Sequence, residues 1–189
     1  MNTERVAELI HSLLIELGED PDREGLARTP HRVAEAYAYL TSGYGVDPQE
    51  IINGAIFEAC SNNMIICRDI EVYSLCEHHM LPFYGRCHIG YIARNHVIGL
   101  SKLARLVDCY ARRLQIQERL TAHVAQAIMD ATQAEGVGVV MECRHLCMMM
   151  RGVAKQNSLM TTSSVLGSFH DEEATRMEFL DLIGRDIGH

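Results

Sequence analysis

Residues 64–93 hold two stretches dense in β-branched and aromatic residues, MIICRDIEVYS and GRCHIGYIA, kept apart by the run SLCEHHMLPFYG. That composition suits neighbouring pleated strands, and the Pro82 and Gly85 turn signal between them predicts an antiparallel pair. The run itself sets Cys76, Glu77, His78 and His79 side by side, a poor choice for a hydrophobic core. Any fold for this chain must therefore carry ligand-type and proton-transfer side chains at a turn between strands.

The flanking sequence has a different period. Residues 3–17 read as a helix, with Thr3 as cap and Val6, Leu9, Ile10, Leu13, Leu14 and Leu17 at helical spacing before Gly18. Thr29 and Pro30 open a second helix, with Val33, Ala34, Tyr37 and Leu40 on its apolar face. Helices are predicted again from Ser101 to about Arg113 and from Glu118 to about Ala134. A second strand pair follows in VGVVMECRHLCMM and SLMTTSSVLGS, and DEEATRMEFLDLI reads as a short final helix. This order is α+β: an antiparallel four-stranded sheet with helices on one face. Residues 1–45 form an N-terminal helical segment and 46–189 a single structural unit. An open sheet of this kind has two edges, which points to pairing with further copies of the chain, a homo-oligomer.

With 48% hydrophobic residues, 189 residues suffice for one core. No run reaches the roughly 20 apolar residues that span a bilayer. The first residues are acidic and helical where a signal peptide is basic and apolar. A cytoplasmic protein with no membrane partner is expected. Seven cysteines, an odd number without a secretion signal, argue against a disulfide framework. A formal charge of −8 argues against a nucleic-acid surface but leaves room for a small anion held by local cations.

CRHLCMMMRG, residues 143–152, supplies a second cluster. His145 and Cys147 are two apart, so on a strand they share a face. Cys76, His79 and Cys147 would make a Cys₂His set, as in an open catalytic zinc site with water in the fourth position. A closed structural site recruiting His145, His78 or Cys143 is the alternative, and ordinary buried cysteines with surface histidines are a third. In the open case His78 and His145 stay beside the metal as imidazoles able to move protons, which points to hydrolysis.

Ser101, Lys102 and Arg105 open a helix, where free N–H groups, the helix dipole, a hydroxyl and two cations suit a phosphate. Arg151 and Arg32 are further candidate cations. Glu118 is either a favourable acid in a first helical turn or an acceptor for the donors of a guanine edge.

The segments CEHHMLPFYGRCHIGYI, VIGLSKLARLVDCYARRLQIQERLT, ECRHLCMMMRGV and KQNSLMTTSSVLGSF, in this order, resemble the GTP cyclohydrolase I family from about Asp22 to about Leu182. The resemblance implies a tunnelling fold (T-fold) whose sheets join into a barrel across subunits. It implies a decamer of two stacked pentamers, with active sites between subunits. It also implies Cys76, His79 and Cys147 as zinc ligands and GTP as substrate, attacked at C8 by a metal-activated water. His145 is then the proton donor to N7 and His78 an assistant near C8 and the ribose. Formate leaves, and the product is 7,8-dihydroneopterin triphosphate. Glu118 matches the guanine anchor, with Gln117 beside it among the substrate contacts, and Ser101, Lys102, Arg105, Arg151 and Arg32 match positions that hold the triphosphate and ribose. The chain departs from the pattern at Glu35, where some members carry lysine.

Overall fold

Residues 64–76 and 82–92 send successive side chains to opposite faces of a sheet, as their β-branched and aromatic composition suits. In the computed structural model, which describes residues 1–185, these are β2 (Met64–Cys76) and β3 (Pro82–Ile92), paired from Met64↔Ile92 to Leu75↔Pro82. The final four residues of the expected 46–189 unit lie outside the described residues. β6 (Gly136–His145) pairs with β3, and β7 (Met160–Gly167) with β6, all antiparallel. A two-residue strand, β5 (Leu114–Gln115), adds a parallel edge beside the end of β2, so the order is β5-β2-β3-β6-β7. Two short strands, β1 (Ile56–Glu58) and β4 (His96–Ile98), make a separate ladder.

Helices α4 (Leu100–Ala111) and α5 (Gln117–Thr132) bury Leu103, Leu106, Val107, Leu120, Val124 and Ile128. They share one core with Val72, Phe83, Cys87, Ile89, Val139, Met141 and Cys143 from one face of the sheet. The expectation that helices cover one face only needs correction. Helices α7 (Ser168–Asp171) and α8 (Glu173–Gly184) bring Phe169 and Phe179 against the other face, where they pack with Val140, Met64, Ile66 and Ile92. Glycines make that approach possible: a Cβ on Gly138 would stand 2.6 Å from the Phe169 ring, and one on Gly90 2.7 Å from Phe179.

Residues Met1–Ser42 form a separate compact unit of two helices, α1 (Thr3–Glu16) and α2 (Thr29–Leu40). The cap of α1 is Asn2, not Thr3: the Asn2 Oδ1 accepts from the Arg5 N–H at 3.0 Å. Of the α1 stripe, Leu9, Leu13 and Leu17 remain exposed. Residues 43 onward form the second unit, which opens with α3 (Pro48–Ile52).

Candidate active site

β2 stops at Cys76 and the chain coils. The Cys76 N–H donates to Leu81 O at 2.9 Å, and the His79 and Met80 N–H groups both donate to Cys76 O, at 3.3 and 2.7 Å. Met80 takes a left-handed φ of 54° to complete the turn. This coil sets Cys76 and His79 together, with Sγ 3.9 Å from Nδ1.

Cys147 arrives from the neighbouring strand. β6 ends at His145 opposite Phe83, and the next residue of β3, Pro82, has no N–H with which to extend the ladder. The chain leaves the sheet in a single helical turn, α6 (Leu146–Met149), that carries Cys147. The expectation that Cys147 shares a strand with His145 is thus corrected, because the ladder runs out first. The turn brings the Cys147 sulfur to the pair: one ligand atom each of Cys76, His79 and Cys147 lies within 4.8 Å of the others.

Two thiols and an imidazole at this spacing fit a metal ion. Burial, and then the nearby Cys76 thiol, push the Cys147 thiol above its ordinary range, while Arg151 pulls it down. A cation between the sulfurs would turn their mutual repulsion into shared attraction, and binding would release the thiol protons. Cys76 is buried, Cys147 half-buried and His79 exposed, so the group faces solvent on its histidine side.

The neighbours are chemically specific. Arg151 Nη1 stands 3.0 Å from His79 Nε2. Exposed His78 lies 3.9 Å from one Glu77 oxygen, and the other Glu77 oxygen is paired with Arg119. Arg119 also donates to Gln115 Oε1 at 2.9 Å and to Leu114 O at 3.3 Å, and the Glu77 N–H donates to Gln115 O at 3.0 Å. The start of α5 and the turn that carries Cys76 and His79 are thereby tied together. His145 stacks on Phe83, centroids 4.6 Å apart and planes 8° from parallel, with Nε2 2.9 Å from Gln117 Oε1. Burial lowers the pKa of His145, and the Glu118 carboxylate close by partly restores it.

One corner of one chain therefore gathers Cys76, His78, His79, Cys147, Arg151, His145, Gln117 and Glu118. Of the other expected residues in this unit, Ser101, Lys102 and Arg105 stand apart. The Ser74 hydroxyl donates to Ala111 O at 2.6 Å, which fixes the C-terminal end of α4 beside this corner. Ser101 and Lys102 occupy the opposite end of that helix, roughly 15 Å along its axis at 1.5 Å per residue, with Arg105 between. Arg32 and Glu35 are exposed on α2, in the first unit. Sequence reasoning placed Glu77 in the turn without giving it a partner, and it missed Arg119, Gln115 and Phe83. The available signal was the i, i+4 spacing of Gln115 and Arg119.

The profile of the family described as GTP cyclohydrolase I matches residues 6–184. A GTP cyclohydrolase 1 of Methylococcus capsulatus is 60% identical over 94% of this chain and 96% of its own length. Proteins of the same name from Leptospira biflexa and Chromohalobacter salexigens are 59% and 55% identical, over 93% and 96% of this chain and 96% and 98% of theirs.

Proposed function

This chain belongs to the GTP cyclohydrolase I family and is a hydrolase of that kind, and we propose that it opens the imidazole ring of GTP at C8. Formate is released, and rearrangement of the ribose with ring closure gives 7,8-dihydroneopterin triphosphate. The single observation that carries this reading is the convergence of Cys76, His79 and Cys147 beside two histidines that are not needed as ligands.

Cys76, His79 and Cys147 would hold zinc, the ion that a Cys₂His set with a free position suits. When bound, the metal supplies Lewis acidity and a water that ionises near neutral pH. The protein's own groups do the rest. Glu118, exposed at the first turn of α5, accepts hydrogen bonds from N1–H and the amino group of guanine. His145 would deliver a proton to N7 as the ring opens, passing from imidazolium to the neutral ring that its burial favours. His78, on the exposed side of the turn, moves protons near C8 and the ribose.

Arg151 meets the triphosphate at the metal corner. Ser101, Lys102 and Arg105 would reach it from a neighbouring copy, because they stand at the far end of α4 from their own chain's metal corner. Glu35 leaves α2 with Arg32 alone as a cation there. The exposed Leu9, Leu13 and Leu17 and the open edges at β5 and β7 support assembly into a T-fold barrel and a decamer of two pentamers. We place the enzyme in the cytoplasm; among the described residues no helix is long and apolar enough to cross a membrane.

Purified protein supplied with zinc and GTP should release one formate per GTP and yield a product that oxidises to fluorescent neopterin. GTP left intact by zinc-loaded, folded protein would overturn the reading.

A further inference from the structure

We infer that Gln117 is a positioning residue that locks His145 as its Nε2–H tautomer and so presents Nδ1 to the substrate. The Gln117 side chain is 1% exposed, so each of its polar atoms must find its partner inside the protein. The Gln117 amide nitrogen lies 3.0 Å from Met141 O, 2.9 Å from Met160 O and 3.1 Å from Thr162 Oγ1. Main-chain carbonyls only accept, so the NH₂ end must face them and cannot be exchanged with the oxygen.

The hydroxyls agree with this orientation. Thr121 Oγ1 donates to Gln117 O at 2.7 Å, which uses its only proton. Thr162 Oγ1, 2.7 Å from Thr121 Oγ1, must then be the donor of that pair and can only accept from the amide. With the nitrogen so fixed, Gln117 Oε1 faces His145 Nε2 at 2.9 Å, and an oxygen there requires a proton on Nε2. Among the described residues none hydrogen-bonds His145 Nδ1. The Phe83 ring stacked on the imidazole leaves it little room to turn over. The nitrogen that exchanges a proton with substrate is therefore Nδ1, and the Gln117 amide is fully engaged inside the protein and has nothing left to offer guanine.

The inference rests on the hydrolase reading only for what Nδ1 meets; the tautomer itself does not depend on it. Neutron diffraction from crystals of the zinc-loaded protein grown in heavy water should show a deuteron on Nε2 pointing at Gln117 Oε1. A bare Nε2, or a Gln117 amide turned with its nitrogen toward His145, would overturn the inference whatever the substrate proves to be. In kinetics, Gln117→Met should lower kcat roughly 10–100-fold, the usual cost of losing such an orienting partner, with KM for GTP and zinc content unchanged. A raised KM with kcat intact would make Gln117 a substrate contact and overturn it too. If Gln117→Met does not fold, the neutron result on the unaltered protein decides alone. If no GTP turnover is found in the parent protein, the function reading fails while the neutron arm still judges the tautomer.

Discussion

Two groups of cysteines sit on the same sheet and have opposite fates. Cys87 and Cys143 lie in mid-strand on β3 and β6, fully buried, diagonal to each other across the ladder. Burial pushes the Cys143 thiol up to about 12 and Cys87 well above its ordinary range, so both are small core hydrophobes. Cys76 and Cys147 lie where strands stop, one on the last residue of β2 and one in the turn after β6. A ladder holds a side chain to one face, and only where it ends can the backbone coil and bring thiols from two strands onto one point. Position at a strand end, next to an imidazole, makes the difference between a packing cysteine and a candidate ligand.

The largest effect should fall on the strand-end pair. Cys76→Ser or Cys147→Ser should lose bound metal and lower turnover roughly a thousandfold or more, read by metal content and formate release. Full metal retention in either would erase the distinction. Next, His145→Ala should keep its metal but lose roughly 10²–10⁴ in turnover, which separates proton transfer from ligation; an unchanged rate would remove His145 from the chemistry. The mid-strand pair should respond through stability alone. Cys143→Ser would bury a hydroxyl in an apolar core at a cost of about 1–3 kcal/mol in denaturant unfolding, with zinc content unchanged. Zinc loss there would mean a fourth protein ligand and a closed site.

The smallest effect should come, under acid, from two histidines away from the candidate metal site, His88 on β3 and His123 on α5. Burial lowers the folded-state pKa of His88 below 6.5, and partial burial followed by the nearby Arg119 and Arg113 lowers that of His123. The unfolded chain then binds more protons than the folded one just below that pH. Stability should thus be intact above about 6.5 and decline as pH falls toward the depressed folded values. Metal-free unfolding midpoints that rise on acidification across this window would reverse the sign.

Much of this was legible in the residues. The inward faces of α4 and α5, both strand pairs and the candidate group of Cys76, His79 and Cys147 were visible in spacing and composition, with the open and closed readings of that group left undecided. Other features needed three dimensions. Alternation alone said Cys147 lay on a strand, since nothing local showed that Pro82 would end the partner ladder. Gly90 and Gly138 were visible inside strands, but which rings would approach them was not. The orientation of Gln117 depends on carbonyls 24 and 43 residues away, beyond any local pattern. Ser101 and Lys102 carry the expected phosphate chemistry, yet only the helix axis shows how far they stand from the metal corner of their own chain.

The most direct test is a crystal structure of the zinc-loaded protein with anomalous data collected at the zinc edge. One peak is expected, bonded to the sulfurs of Cys76 and Cys147 and a nitrogen of His79, with a water or substrate atom completing the coordination. A zinc enclosed by four side chains, or bound elsewhere in the chain, would contradict it.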